Sequence, residues 1–518
     1  MPPPNEKLAE SLAALQALQK GGQRVFRSDD LSRTHRERLL QNGFLQEVIK
    51  GWLISSNPSA RAGDSTPWYS SFWEFCQKYC IDRFGEEWHV SPEQSILLNA
   101  ENTVIPPQVV IYSPKGTNHK LDLLFGTSLY DLKQDDLPTG SDVFMRNGLR
   151  MFSPAAALVK VPEGFLNRYP IETQVALASL ADASDVLRHL LDRGRTVKAG
   201  QIAGALRHIG RGSMADEIVS TMKSAGYDVR ESDPFAPEQT FGAVLFTKPP
   251  IVIRLQAMWE SMRRTVHDIF PKAPGLPANK SRYLHFVDDI YRQDAYHSLS
   301  IEGYSVSPAL IERVQRGDWD PDHHEVDRKN RDALAARGYW QAFQNVKGTI
   351  QAILEGVNAG ALVRTAHREW YRELFQPCVA AGLISTRALA GYRNEPVYLR
   401  TSRYVPPRWE AVRDAMPELF NLLEKETDSG VRAVLGHWLF GYIHPYQDGN
   451  GRMARFLMNT MLASGGYPWT VIRVEDRDPY LKALDNASID TDIQPFAEFI
   501  AERVRRSIEQ GRKRRKPG

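Results

Sequence analysis

Residues 431–460, VRAVLGHWLFGYIHPYQDGNGRMARFLMNT, leave this chain few ways to fold locally. Val431 to Ile443 is apolar enough to be a buried helix. Pro445 has no N–H and disfavours helical backbone at the residue before it, so that helix must end at about His444. QDGNG then makes a tight loop, because its glycines accept positive φ and close backbone approach. Helical spacing resumes from Arg452 to Met461. A histidine at the end of one helix thus faces a glycine-rich turn at the start of the next.

Such a turn is an anion site in waiting, since free N–H groups and the helix dipole point at it. Arg452 and Arg455 are three apart and share a face of the second helix's first turn. Two cations there conflict with the dipole, and a bound polyphosphate removes the conflict. Asp448 offers a hard oxygen ligand, which Mg²⁺ on a nucleotide accepts. His444 is the right type to take a proton from an attacking hydroxyl near neutral pH. Taken singly, His444 could be a structural helix-end histidine and Gly449 to Gly451 an ordinary turn. Together they must also account for a misplaced arginine pair beside a histidine and an acid.

The segment resembles the Fic (Fido) signature, H-x-F-x-[D/E]-G-N-G-R-x-x-R, with Tyr446 where Phe is usual. Tyr446 is expected to face the core, where its hydroxyl needs a partner or water. The resemblance implies His444 as general base, Asp448 as holder of Mg²⁺, and Gly449, Asn450 and Gly451 as the anion hole. It implies that Arg452 orients the phosphates of ATP and that Arg455 binds the terminal one. The implied reaction is protein adenylylation: in-line attack of a Ser, Thr or Tyr hydroxyl on the α-phosphate, with pyrophosphate leaving. Transfer of another nucleotide stays open, because the cradle reads phosphates more than bases. Fic enzymes also carry a β-hairpin flap that pairs with the target chain. Here Pro396 to Leu399 and Arg403 to Val405 flank Arg400-Thr401-Ser402 and suit such a hairpin, so the target is expected at Val397–Val405.

Residues 282–303 read as a helix up to Ser300 and end in Ser298-Leu299-Ser300-Ile301-Glu302-Gly303. This is similar to the Fic inhibitory motif, [S/T]-x-x-x-E-[G/N]. The resemblance implies that Glu302 pairs with Arg455 and fills the place of the γ-phosphate, with Ser298 and Gly303 completing the motif. A buried arginine without phosphate favours a carboxylate partner. In some members the same glutamate aligns a water and removes AMP; the sequence leaves both roles open. Read without the signature, Glu302 is an exposed residue beside a C-capping glycine.

The expected fold class is multidomain α+β: a mainly α Fic domain over 251–508 with a small β-hairpin flap, preceded by an α/β region with a winged helix-turn-helix. Residues 1–56 supply the winged helix. A helix over Lys7 to Gln19 precedes Val25-Phe26, then SDDL with Ser28 as a cap, then a helix over Ser32 to Gln41 stopping at Asn42-Gly43. A hairpin follows around Lys50-Gly51. Arg33, His35, Arg36 and Arg38 on the third helix fit a DNA contact, while a protein contact is the alternative. Residues 57–236 mix an aromatic helix (Trp68 to Phe84) and strands (Val109 to Tyr112, Leu121 to Leu124) with helices at Glu172 to Arg193, Ala199 to His208 and Met214 to Ala225. VFRSDDL, QNGFLQEVIKGWLIS and AGQIAGALRHIGR resemble AbiEi-type winged-helix antitoxins and regulators. That implies a second function class, a DNA-binding regulator or toxin–antitoxin-like switch with a Fic sensor. The Pro-bearing stretch 233–250 is the expected boundary, and 509–518 a basic tail.

With 518 residues, net charge +3 and three cysteines, the chain needs no nucleic-acid partner as a whole and no disulfide scaffold. No secretory pattern opens it and no run approaches ~20 apolar residues, so a cytoplasmic protein off the membrane is expected. A homodimer is compatible with the family. Several further signals carry bland readings. Gly210 to Ala215 is read as an interhelical loop, and Gly275 to Ser281 lacks P-loop spacing. Cys76, Cys80 and His437 are read as packed, and Asp320 to Asp327 as a solvated loop.

Overall fold

The computed structural model describes residues 4–59, 63–235, 248–318 and 331–513, and is mostly helical with a few small sheets. The chain divides into two compact units. One comprises Met1–Pro250 with Tyr398–Val405, the other Ile251–Val397 with Pro406–Gly518. The loop expected for Asp320 to Asp327 lies outside the described residues.

The N-terminal unit opens with α1 (Pro4–Leu18), β1 (Val25–Arg27), α2 (Arg33–Gln41), β2 (Leu45–Ile49) and β3 (Trp52–Ser55), the strands pairing antiparallel in the order β1-β3-β2. This is the expected element order with one correction. Between β1 and α2 stands a single 3₁₀ turn, Ser28–Asp30, instead of a helix. Asp30 Oδ2 accepts from Arg27 N (2.7 Å) and closes that turn on itself. The helix cap is Ser32, whose Oγ accepts from His35 N, rather than Ser28. Three of the four side chains expected to face DNA bond inside the unit. Arg36 donates to Ser28 O (2.8 Å), Arg38 to Lys7 O and Ser11 Oγ (2.8 Å), and His35 Nδ1 lies 3.0 Å from Ser11 Oγ. Arg33 is exposed and paired with Glu37 (2.7 Å).

Beyond the hairpin, α3 (Thr66–Phe84) packs Trp68, Phe72, Phe75, Cys76 and Cys80 into one core. Its partner is a four-stranded sheet ordered β4 (His89–Val90), β5 (Gln108–Ser113), β7 (Ser128–Lys133), β6 (His119–Asp122). The run Leu121 to Leu124 is strand only to Asp122, and Leu124 starts a 3₁₀ turn. The helix expected over Glu172 to Arg193 is two helices, α4 (Pro170–Ala178) and α5 (Ser184–Leu191). Asp185 Oδ2 takes the N–H groups of Ala181 and Asp182 (3.1 and 3.2 Å), satisfying backbone that a continuous helix would bond itself. Then come α6 (Thr196–His208) and α7 (Gly212–Ser224), with Gly210 in the turn between them.

The flap expectation needs correction. No strand forms between Pro396 and Val405. Within the N-terminal unit, Ile105 N donates to Arg403 O (2.8 Å), Arg403 Nη1 to Ile105 O (3.0 Å) and Thr103 Oγ1 to Val405 O. Backbone acceptors that a hairpin ladder would use are taken by residues 103–105. Pro396, Pro406 and Pro407 have no N–H to give.

In the second unit the helices that matter for the site are α8 (Lys280–Ile301), α9 (Ala359–Ala380), α10 (Ser429–Ile443), α11 (Asn450–Ala463), α12 (Arg477–Ile489) and α13 (Gln494–Lys513). The expected domain end at 508 falls inside α13, so the tail does not begin at 509. Among the described residues no helix is long and apolar enough to cross a membrane.

Candidate active site

Asp428 starts α10 by accepting from Gly430 N (2.8 Å) and Val431 N (3.1 Å), and the helix runs to Ile443. His444 ends it in left-handed backbone, φ 50°, and its N–H still reaches Phe440 O (3.0 Å). Only Pro445 behind it makes such a stop necessary. His444 Nδ1 lies 3.3 Å from Gly441 O. A carbonyl only accepts, so Nδ1 carries the proton and Nε2 keeps its lone pair. Burial pushes the imidazole down to about 4, against the raising effect of Gly441 O and together with the nearby charge of Arg393. At neutral pH the ring is therefore an uncharged base.

Arg393 fixes the end of that helix. Its Nε donates to His444 O (2.7 Å), a second nitrogen to Ile443 O (3.4 Å) and to Pro407 O, and its N–H to Pro445 O (2.9 Å). Carbonyls at a helix end lack intrahelical donors and carry the negative end of the dipole, and a buried guanidinium answers both needs.

The turn that follows is locked by Asn450. Its Oδ1 accepts from Tyr446 N (2.9 Å) and its Nδ2 donates to Tyr446 O (2.8 Å). These two bonds commit the Asn450 amide to the loop, and its backbone N–H stands at the helix mouth, where an anion can meet it. Gly449 caps α11 at φ 82°, where a side chain would strain the backbone and meet the Phe375 ring. The first intrahelical bond is Met453 N to Gly449 O (3.0 Å), which leaves the N–H groups of Asn450, Gly451 and Arg452 at the helix mouth. A Cβ at Gly451 would overlap the Glu302 carboxylate.

Arg452 lies between the rings of Phe375 (5.0 Å) and Tyr304 (5.1 Å) and is 1% exposed. Its Nε and Nη2 have no hydrogen-bond partner, and Asp448 Oδ2 is 3.5 Å from Nη2. A buried guanidinium with two unanswered donors is costly, and an oxyanion at the helix mouth would satisfy both. Asp448 itself is 58% exposed at this mouth, with Oδ1 accepting from Gly449 N (2.6 Å). A single accessible carboxylate beside a phosphate site suits Mg²⁺, which takes its other ligands from phosphates and water.

Arg455 is fully engaged. Its Nε donates to Ser298 Oγ (2.8 Å) and its Nη2 to Ser298 O (3.0 Å) and Glu302 Oε1 (2.7 Å). Burial alone would raise the Glu302 carboxyl, but the charges of Arg455 and then Arg452 outweigh it and hold the carboxyl below its ordinary range. Gly303 turns the chain out of α8 at φ 87°, and Arg477 Nε donates to Ile301 O (3.0 Å) at that helix end.

The structure thus brings together His444, Asp448, Gly449 to Gly451, Arg452, Arg455, Ser298 and Glu302. His437 is packed, with Nε2 2.8 Å from Tyr480 Oη. Tyr446 faces the core as expected and stacks on Tyr371 at 3.7 Å and 6°. Sequence reasoning missed Arg393, Arg477, Tyr304 and Phe375. Arg393 meets carbonyls some fifty positions away, so nothing near it in the chain marks it.

The Fic/DOC family matches residues 361–462. A protein adenylyltransferase Fic of Nematostella vectensis is 26% identical over 348 residues, which is 61% of this chain and 76% of that protein. Its namesake in Drosophila virilis is 29% identical over 229 residues, 43% of this chain, which spans only 42% of that relative's length. Among solved structures, Fic-1 from C. elegans is 18% identical with a TM-score of 0.38, covering 67% of this chain and 99% of that one. A Fic domain containing signaling protein from Bacteroides thetaiotaomicron is 21% identical with a TM-score of 0.35, covering 50% and 94%. The C-terminal region of this chain carries a Fic/DOC domain.

Proposed function

We propose that this protein is a nucleotidyltransferase that moves AMP from ATP onto a Ser, Thr or Tyr hydroxyl of a target protein, and that Glu302 holds it at rest. The observation that carries this is the state of the two arginines: Arg452 has donors without hydrogen bonds at a helix mouth, while Arg455 is held by a carboxylate. Relatives named protein adenylyltransferase Fic support the same chemistry.

In this mechanism the target hydroxyl gives its proton to His444 Nε2 as its oxygen attacks the α-phosphorus. The bond from that phosphorus to the bridging oxygen breaks and pyrophosphate leaves. The N–H groups of Asn450, Gly451 and Arg452, with the Arg452 guanidinium, stabilise charge on the phosphates. Asp448 would hold Mg²⁺, which neutralises phosphate charge when bound. The terminal phosphate can meet Arg455 only after Glu302 withdraws. Target binding through the segment around Val397–Val405 requires that segment first to release Thr103 and Ile105.

The test is mass spectrometry of the Glu302→Gly chain after incubation with ATP, GTP, CTP or UTP, with His444→Ala added as a second variant. A mass gain of AMP on a hydroxyl residue, absent when His444 is removed, is the expected result. No nucleotide adduct with any donor, or an adduct indifferent to His444, would overturn the reading.

A further inference from the structure

Tyr446 sits on the catalytic loop, is 1% exposed, and its hydroxyl has no hydrogen-bond partner. A buried phenol without a partner is costly unless something arrives to accept from it. Tyr446 lines a cavity of about 270 Å³, together with Tyr371, Tyr392, Arg368, Arg372 and Arg413. A second cavity of about 360 Å³ shares Arg368, Tyr392 and Arg413 and adds Pro417 and Phe420. None of Gly449 to Arg455 lines either space, so both are separate from the phosphate cradle.

The charge there is one-sided. Among the described residues no carboxylate lines either cavity. Arg372 is paired with Glu369 (2.6 Å) and Arg364 with Glu424 (2.9 Å). Arg368 instead lies over the Tyr392 ring (5.9 Å) and Arg413 over Trp409 (5.8 Å), and among the described residues neither is ion-paired with an acid. Arg368, Arg413 and Tyr446, the last with an unpartnered hydroxyl, line one space, and its neighbour offers Phe420, Pro417 and the Tyr392 ring. Small-ligand sites have this make-up, an apolar wall with a few convergent polar groups, at a few hundred Å³.

We infer that these joined cavities form a second ligand site, for a nucleoside monophosphate. Its phosphate would accept from Arg368, Arg413 and the Tyr446 hydroxyl, and its ring system would lie against Phe420, Pro417 and Tyr392. A bare anion leaves the apolar part unused, and a neutral ring leaves the arginines uncompensated. Asn450 holds both backbone groups of Tyr446, so the ligand would touch the loop that carries His444. The site goes beyond the transferase reading and stands whether or not that reading does.

The test is calorimetric titration of the full chain with AMP and, separately, with inorganic phosphate. It is run in the Arg452→Ala background, so that the catalytic cradle does not contribute. AMP should bind at one site, at least tenfold tighter than phosphate. Adding Arg368→Ser with Arg413→Ser should weaken it tenfold or more, and Tyr446→Phe alone severalfold. Circular dichroism checks the fold. If the double variant does not fold, Tyr446→Phe decides, because it removes one hydroxyl from a ring that stays stacked. Absence of AMP binding, an unchanged Kd in Tyr446→Phe, or phosphate binding as tightly as AMP would each overturn the assignment.

Discussion

Arg452 and Arg455 stand one turn apart on the same helix, yet they meet opposite surroundings. Arg455 has a carboxylate, a hydroxyl and a carbonyl; Arg452 has two aromatic rings, the Asp448 carboxylate at 3.5 Å, and two donors without a hydrogen bond. The site is thus built shut where a terminal phosphate would lie and left open where inner phosphates would lie. In the proposed mechanism this would block one subsite and leave the catalytic groups in place.

The largest effect that could break this comparison is removal of the filling carboxylate. Glu302→Gly should raise transfer of labelled AMP, self-modification included, by about tenfold to a hundredfold, since a closed state favoured by a few kcal/mol is released. Equal labelling of both chains would show that the shut end is not what limits the reaction.

Next comes Arg393, on the open side. In the Glu302→Gly background, Arg393→Ala should lower kcat about tenfold while leaving KM for ATP nearly unchanged, because it misplaces the base rather than the phosphates. Loss of the Arg393 charge also lets His444 rise from about 4, so the acid limb of the rate profile should move to higher pH. A lowered kcat without that movement would point to general loosening.

A smaller change sharpens the shut side. Arg477→Ala removes the donor to Ile301 O at the end of α8, one residue before Glu302. AMP transfer should rise by about twofold to fivefold, as expected for loss of a single helix-end hydrogen bond. An unchanged rate would mean that Ser298 and Arg455 hold the helix end by themselves.

The smallest effect separates buried histidines from the base. Burial holds His367 near 4 and His437 near 3, both below the ordinary 6.5. Each adds stability that is complete above pH 6.5 and is lost as pH falls towards its folded value. Tm should therefore drop by roughly 5–10 °C between pH 7 and pH 5. Replacing His437 with Gln should shrink that drop, and an unchanged pH dependence would exclude it as a source.

Much of the site is legible in the chain because its chemistry is local. Pro445 ends a helix, glycines allow the turn, and the arginine spacing follows from helix geometry, all within about twelve residues. The same holds for α1, α2 and the hairpin, where caps and turn residues are near neighbours. Reasoning from local pattern failed where side chains, near or distant, took over backbone groups that regular structure would have paired. Asp30 closed a turn where a helix was expected, Asp185 split a helix, and residues 103–105 claimed the acceptors of the expected flap. Arg36 and Arg38 looked free for DNA by composition and were bonded to Ser28, Lys7 and Ser11.

The sequence by itself determined where the histidine, the turn and the two arginines stand, because helix stops, glycine conformations and 3.6-residue spacing act over a few bonds. It also marked Glu302 as a partner by resemblance. Only the tertiary structure decided that Arg455 is occupied and Arg452 is not, that Arg393 steadies the helix end under His444, and that the Tyr446 hydroxyl is left without an acceptor. Those outcomes depend on which desolvated groups meet across separations of 51 to 157 positions. Burial makes each unmet donor costly, and no local pattern encodes which partner will arrive.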